Sequence, residues 1–358
     1  MYILNMKKVF LILFMMVVAL VAPNALYASS EGGEGELQIK ETIFHHLGDG
    51  YGWEVPFSHH HRIPLPVILI DNEGKWHCFS SSRVTNGETY EGFYIAHGGD
   101  YNGKIVKKDA SGNEYRPTDL SITKNVLALF ISVLLVVACV LSVARWHRRN
   151  GAKAPRKGLG AIEALITFVY DGVIKSTLKE NARRFAPYLL TVFFFIFGMN
   201  LLGLIVIFPG GANLTGNIAV TLVLAVCTFL VTNIFGTKHY WKDIFWPDVP
   251  LWLKFPIPIM PVIEIFGMFT KPAALTVRLF ANMMGGHMIV MVLTMLIFIF
   301  APMGAVVTGA TTVVSVAFSI FMLLIDVLVS FIQAYVFTML STIFISLAQE
   351  NPHHEAHE

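Results

Sequence analysis

A single arginine lies inside one of the longest apolar stretches of this sequence. Arg278 falls within Ala273–Phe300, a segment that is otherwise almost entirely apolar. On insertion scales, an arginine at the centre of a membrane-spanning helix costs about 2.5–3.5 kcal/mol, so such a residue faces protein or water rather than lipid. We therefore predict a functional role for Arg278. The alternative is an arginine that reaches a membrane interface or ties two helices together.

Other polar side chains fall on the same side of this predicted helix as the arginine. At 100° per residue they lie within about 40° of one another; they are Glu264, Lys271 and Asn282. Small residues allow a second helix to approach closely, and those that border the stripe are Gly267, Ala274 and Gly285. The pattern predicts a docking face with an arginine at its centre.

The last apolar stretch also contains a polar helix face, here with an acidic residue. Asp326, Ser330 and Gln333 share a helix face, at offsets of four and seven residues. An aspartate in hydrocarbon is costly and needs a partner or a water path. His287 is the candidate partner, because it projects from the face opposite Arg278 and two antiparallel helices joined near 301–310 would bring it close. Both residues would then lie toward the outer side.

Composition places the protein in a membrane. Of its 358 residues, 55% are hydrophobic and 14% are charged, with a mean hydropathy of +0.62. Soluble domains carry about 25% charged residues, so much of the surface must face lipid. The net charge of +2 is too small to indicate a nucleic-acid partner.

Apolar stretches predict an all-α polytopic membrane domain over 121–350, with about five helices. They lie at 125–144, 186–208, 217–236, 261–300 and 311–349. The first three match the roughly 20 residues that span a bilayer. Each of the last two holds about 40 residues, or about 60 Å of helix, and no charged turn divides them. We predict two long, slanted helices rather than two pairs of spans.

Charge and small-residue patterns predict the topology. Basic residues from Arg145 to Lys157 follow the first span and mark the cytoplasmic side. Leu159–Thr177 has apolar residues at helical spacing among charges, which predicts an interfacial amphipathic helix. Residues 1–28 are typical of a signal peptide, with Lys7 and Lys8 before an apolar run. The alternative is an uncleaved anchor, and the tail 351–358 is expected inside.

Residues 29–120 are predicted to form a small, β-rich, exported region on the periplasmic side. Ile63–Ile70 and Lys75–Phe79 have the composition of strands around a tight turn. Further strands are predicted near Tyr90–Ala96 and Gly103–Lys107. The region assembles no catalytic constellation, so the sequence assigns it no role.

The sequence predicts no metal and no cofactor. Cys78, Cys139 and Cys227 fit no zinc or disulfide spacing, and the last two are expected to be small core residues. An intramembrane metallohydrolase would need histidine ligands, but no H-E-x-x-H motif is present. The histidine runs, at 59–61 and in the tail (His353, His354 and His357), are more typical of solvated segments. No nucleotide-binding loop is present either.

Two motifs resemble the signature segments of subunit a of bacterial F-type rotary ATP synthases. The first is R-L-F-A-N-M at Arg278–Met283, within the similar stretch Pro261–His287, and the second is F-I-Q-A-Y-V-F at Phe331–Phe337. The resemblance covers roughly residues 120–350. It implies a non-catalytic stator subunit of the Fo sector in the cytoplasmic (inner) membrane, surrounded by lipid. The implied partners are the c-ring, peripheral-stalk subunit b and the remaining F1Fo subunits.

The resemblance also implies roles in proton transfer for individual residues. Arg278 would face the essential carboxylate of the rotating c-ring, with Gln333 and Asn282 in the same path. Glu264 would lie near the cytoplasmic half-channel. Many bacterial members have an acid where this chain has His287 and a histidine where it has Asp326. The exchange resembles the mitochondrial arrangement and leaves open which residue relays first.

A secondary transporter that binds an anionic solute at Arg278 is the main alternative. Such a protein would show internal repeats and Gly- or Pro-broken helices in both halves, and the sequence shows no such symmetry. The sequence leaves open whether the ion is a proton or sodium, and how many subunits the ring has.

Overall fold

The computed structural model describes nine segments of the chain. They are residues 48–54, 62–85, 88–96, 101–109, 112–151, 153–155, 158–205, 214–245 and 259–349. The predicted signal peptide, residues 29–47 and the predicted tail 351–358 lie outside them. The described residues divide into two compact units. The first comprises those up to Ile131, those within Leu202–Leu214, and Gly286–Ile325, and the second comprises the rest.

Short antiparallel strands occur among the described residues of the first unit. They are β1 (Gly52–Glu54), β2 (Arg62–Pro64), β3 (Pro66–Ile70), β4 (Trp76–Ser80), β5 (Phe93–Ile95), β6 (Ile105–Lys108), β7 (Glu114–Tyr115) and β8 (Thr118–Asp119). They form a β1–β2 pair and two three-stranded sheets, ordered β4-β3-β8 and β5-β6-β7. A single helical turn, α1 (Ser82–Thr85), follows β4. We refer to described residues 48–120 as the β-rich domain.

The predicted hairpin and the two later strands are confirmed. In β3 and β4, Val67 faces Phe79 and Ile70 faces Trp76. Gly74 has a φ of 76° in the connecting turn, a left-handed conformation that favours glycine. Alternate side chains point inward and build a small apolar core, which includes Val67, Leu69, Phe79, Phe93 and Ile105.

A charged cluster is buried beside this core. The Asp71 carboxylate is 6% exposed and accepts a hydrogen bond from Lys107 Nζ at 2.5 Å and another from the Tyr115 hydroxyl. Burial alone would raise the pKa of Asp71, but these bonds and the backbone N–H of Asn72 lower it to about 2. The cluster joins the turn after β3 to strands β6 and β7.

The β-rich domain continues directly into the first long helix, α2 (Lys124–Asn150). The N–H of Lys124 donates to the Gly50 carbonyl at 2.9 Å, and the N–H of Asn125 donates to Asp49 Oδ1 at 3.1 Å. These groups would otherwise lack partners at the helix start. Tyr51 donates to Asp119 Oδ2 at 2.5 Å, so the residue before β1 and the last residue of β8 are held together.

The first unit also contains the turn between the two longest helices, α8 (Ile259–Phe300) and α9 (Ala305–Gln349). A 3-10 turn, Ala301–Met303, and Gly304 join them. Gly304 has a φ of 109°, a backbone conformation that would be strained for a residue with a side chain. Ile297 of α8 belongs to one buried cluster with Val316 and Ile320 of α9, so the two helices pack against each other in this unit.

The second unit is helical. Its elements, besides the parts of α2, α8 and α9 that belong to it, are α3 (Gly158–Val169), a π-helix (Tyr170–Lys175), α4 (Ser176–Leu178), a 3-10 turn (Lys179–Asn181), α5 (Ala182–Leu204), α6 (Ile218–Ile234) and α7 (Lys238–Phe245). The helix predicted over 159–177 is present, and the backbone turns at Lys179, which has a φ of 46°, before α5 begins. Val169, Ile174 and Leu178 from this segment are buried in the unit's core.

Helix lengths agree with the predicted fold class. Four helical runs among the described residues are long and apolar enough to cross a membrane, and α6 with α7 brings the number to five if that bent pair is one span. Helices α8 and α9 hold 42 and 45 residues. The chain is therefore a mostly helical, multi-pass membrane protein with a β-rich N-terminal region. The prediction for Cys227 was wrong, because its side chain is exposed on α6 rather than in the core.

The Asp71 cluster predicts an acid-sensitive β-rich domain. Because the pKa of Asp71 is below its ordinary value, the stabilisation is complete above about pH 4 and is lost as the pH falls toward 2. The shift corresponds to roughly 2 kcal/mol. Amide hydrogen exchange of residues 62–120, measured by mass spectrometry on the full chain, should therefore accelerate in Asp71→Asn at pH 7.

A matched substitution provides the control for this prediction. Glu73 also contacts a lysine, Lys75 at 2.7 Å, but the two side chains are 69% and 71% exposed. Exposed ion pairs contribute little to stability, so Glu73→Gln should exchange like the parent chain. Equal exchange in the Asp71 and Glu73 variants would contradict the role assigned to the buried cluster.

Candidate functional site

The polar stripe of α8 lies on an open side of the second unit. Lys271, Arg278 and Asn282 are exposed, and Glu264 is half-buried. Among the described residues, the Arg278 guanidinium forms no hydrogen bond and no ion pair. Its charge is therefore available to a group outside the described chain.

Small residues keep this side of α8 unobstructed. A Cβ atom added at Gly267 or at Gly285 would meet nothing within 4 Å. Ala274 and Ala281 are exposed beside the arginine. The surface around Arg278 can thus be approached closely by another helix.

The other side of α8 anchors it within the unit. Leu275 and Leu279 are buried in a core cluster that also contains Ala334 and Phe337 of α9. Leu279 follows Arg278 directly, so its buried side chain fixes the helix rotation that turns the guanidinium outward.

The polar face predicted for α9 points into the protein. Asp326 is 8% exposed, Gln333 is 9% exposed and Ser330 is fully buried. The Ser330 hydroxyl donates to the Asp326 backbone carbonyl at 2.7 Å, which leaves the Asp326 carboxylate for other partners.

His287 belongs to the first unit, whereas Asp326 belongs to the second. The His287 Nε2 atom is buried and has no hydrogen-bond partner among the described residues. Lys124, at the start of α2, lies within electrostatic range of the imidazole. The pairing of His287 with Asp326 remains a prediction.

A buried hydroxyl network joins three helices and was missed at the sequence level. The Tyr188 hydroxyl on α5 bonds to Thr228 Oγ1 on α6 at 2.9 Å, and Thr228 Oγ1 lies 3.4 Å from Ser341 Oγ on α9. The signal was present in the spacing of small residues, since α6 buries Thr221, Ala225, Thr228 and Thr232. Such residues let helices approach closely in a membrane.

No group of three potential metal ligands occurs among the residues that the structure describes. Both histidine runs considered for a metallohydrolase, at 59–61 and in the tail, lie outside those residues.

Two family matches cover most of the chain. Residues 126–346 match the family described as ATP synthase A chain. Residues 42–126 match a second family, described as a domain of unknown function (DUF8433). The first match includes both signature motifs and every predicted site residue, and the second contains the whole β-rich domain.

Individual relatives agree with the family match. ATP synthase subunit a of Myxococcus xanthus (strain DK1622) is 42% identical over 244 residues, 66% of this chain and 75% of the relative. The protein of the same name from Chlorobium phaeobacteroides (strain BS1) is 36% identical over 338 residues, 91% of this chain and 81% of the relative. The second alignment must include most of the predicted exported region, so that region is shared with this relative.

Proposed function

Because the chain belongs to the ATP synthase A chain family, we propose that it is the stator subunit of the Fo sector and forms two proton half-channels against a rotating c-ring. The observation that carries this proposal is the open face of α8. That face presents an arginine without a partner among the described residues, between small residues that leave room for another helix.

The charge of Arg278 suits a carboxylate that moves past it. At 4 Å and an effective dielectric constant of 20, opposite unit charges attract by about 4 kcal/mol. This favours the ionised carboxylate by about a thousandfold, enough to release its proton. Arginine keeps its own charge when desolvated, whereas a buried lysine can lose its proton.

Two separated paths complete the proposed cycle. A proton enters from the outside past Asp326 and His287 and neutralises a c-ring carboxylate, which can then turn through lipid. After a turn of the ring the proton leaves toward the cytoplasm near Glu264. Arg278 separates the two paths, while Asn282 and Gln333 line the way to it.

The proposed assembly and location follow from this role. The subunit makes no ATP itself and works with the c-ring, peripheral-stalk subunit b and the other F1Fo subunits in the bacterial inner membrane. Residues 1–28 act as a signal peptide, residues 29–120 lie outside, the membrane domain spans 121–350, and the tail 351–358 is cytoplasmic. A solute transporter is disfavoured, because α8 carries Arg278 within 42 unbroken helical residues.

The topology can be tested with a thiol already in the chain. Cys78 is exposed on β4, so a reagent that cannot cross membranes should label it in intact cells when Cys139 and Cys227 are replaced by serine. An epitope after Glu358 should become accessible only after the membrane is opened. Labelling of Cys78 only in opened cells would contradict the proposed orientation.

Arg278→Ala should reduce proton-driven ATP synthesis in membrane vesicles by at least about a hundredfold, equivalent to some 3 kcal/mol. Passive proton leak should persist, because the barrier between the two paths is lost. The amount of assembled complex, measured by immunoblot after native electrophoresis, should not change.

Arg148→Ala is the matched control, because Arg148 is an exposed arginine on another helix, near the end of α2. Its synthesis rate should equal that of the parent. Near-normal synthesis in Arg278→Ala would refute the assigned role.

His287 and Asp326 should behave as one relay. His287→Ala and Asp326→Ala should each slow proton flow, and the double variant should be little worse than the poorer single one, because each step needs both groups. The exchanged pair, His287→Asp with Asp326→His, should recover part of the flow, measured as ATP-driven acidification of vesicles.

A purely structural role of His287 and Asp326 would give a different result. If the two residues only hold helices together, an apolar pair of similar volume should serve as well. Full proton flow with His287→Leu and Asp326→Leu combined would therefore contradict a relay.

A further inference from the structure

A small cavity in the second unit lies where α6, α7, α8 and α9 meet. It has about 30 Å³ of room, enough for one water molecule. Apolar side chains form part of its wall, including Phe229, Leu275 and Phe344. The polar groups in the wall are Thr228, Thr232, Asn233, Tyr240 and Lys271.

Several of these polar groups can form further hydrogen bonds. Asn233 Nδ2 donates to the Phe229 carbonyl at 2.7 Å, and Asn233 Oδ1 accepts from the Tyr240 hydroxyl at 3.2 Å. One amide hydrogen of Asn233, a lone pair on the Tyr240 oxygen and the protons of the Lys271 ammonium remain. A buried water needs two to four hydrogen-bond partners, and these groups can supply them to one water molecule in the cavity.

The backbone at the bend between α6 and α7 is shaped around Tyr240. The two helices meet at 104°. A Cβ atom on Gly236 would lie 2.7 Å from Cδ1 of the tyrosine ring, so only glycine allows this packing. The N–H of Thr237 donates to the Ala348 carbonyl at 2.9 Å, and Gln349 Nε2 donates to the Phe235 carbonyl. The bend is therefore fastened to the end of α9.

The cavity lies along the charged stripe of α8. Lys271, in its wall, precedes Arg278 by seven residues, about 10 Å of helix. Glu264 precedes Lys271 by the same distance and lies within electrostatic range of Tyr240. The cavity therefore lies between Arg278 and Glu264 along α8. In the proposed function, proton exit begins near Arg278 and ends near Glu264.

We propose that this cavity is a hydrated station of the inner proton path, and that Tyr240 and Asn233 are positioning residues that orient its water. The inference rests on the proposed function. The water accepts the departing proton on its oxygen and passes one of its own protons toward the Glu264 carboxylate. It is a water again after each transfer, and the Glu264 carboxyl group holds the proton until it releases it to bulk water on the cytoplasmic side. Gly236 serves the same station by admitting the Tyr240 ring.

Tyr240→Phe is the decisive variant, because it keeps the ring and removes the hydroxyl. Proton conductance per assembled Fo complex, measured in vesicles stripped of F1, should fall about three- to tenfold, the effect of one hydrogen bond. Gly236→Ala should lower it further, and adding Tyr240→Phe to Gly236→Ala should change little. Tyr170→Phe removes a hydroxyl that bonds to nothing among the described residues, and it should conduct normally.

Silver ions, which bind ionised thiols in water, provide a second measurement that does not depend on Tyr240. In a chain without its native cysteines, conductance through Thr232→Cys should be blocked by Ag⁺ added at the cytoplasmic face. Ala186→Cys is buried in the core of α5 but does not line the cavity, and its conductance should be insensitive to Ag⁺.

The outcomes separate this inference from the proposed function. If Arg278→Ala abolishes synthesis while Tyr240→Phe conducts normally and Thr232→Cys ignores Ag⁺, the station is refuted and the stator role stands. If Tyr240→Phe lowers only the amount of complex, and conductance per complex is unchanged, the tyrosine merely stabilises the bend and the inference is overturned. Normal synthesis in Arg278→Ala would refute the proposed function itself.

Discussion

The guanidinium of Arg278 imposes the constraint that orders the second unit. A full positive charge in the middle of a 42-residue apolar helix cannot face hydrocarbon without a large cost. The fold turns it away from the core by burying its neighbours Leu275 and Leu279 against α9. No described residue neutralises it. Within the part of the chain that the structure describes, the charge on this face is therefore uncompensated, which agrees with the proposed contact of Arg278 with a carboxylate of another subunit.

A lipid environment explains how the helices around this face are held. Apolar side chains gain little from leaving hydrocarbon, so close packing and hydrogen bonds must stabilise the bundle. Helix α9 buries Ser330, Thr338, Ser341 and Thr342. Several of these hydroxyls donate to a backbone carbonyl one turn earlier, as Thr338 does to Ala334 at 2.8 Å. Ser330, Thr338 and Thr342 are thus satisfied within their own helix, whereas Ser341 lies beside Thr228 of α6. All four side chains are small enough to let α6 approach.

The β-rich domain is stabilised by other means. Its strands bury an apolar core and one ion pair, as in water-soluble proteins, and the backbone carbonyl of Gly50 and the carboxylate of Asp49 hold the first turn of α2. The connection from β8 to α2 is short, and the backbone N–H groups of Leu120 and Ile122 within it donate to carbonyls of β3. The match of residues 42–126 to a separate family agrees with a distinct structural module.

The sequence alone determined the helical architecture, the strands around the turn at 71–74 and the family. A period-2 pattern favours a strand and a period-3.6 pattern favours a helix. Long apolar runs favour membrane spans, and a charge within such a run favours a position that faces protein or water. Only the tertiary structure decided how the helices share their polar residues. The bond from Tyr188 to Thr228 joins residues 40 positions apart, and the contact of Thr228 with Ser341 spans 113. Tyr240 lines the cavity only because the chain bends sharply between α6 and α7, at Gly236. Such contacts depend on helix rotation and approach, which local spacing does not specify, because many rotations bury the same apolar area.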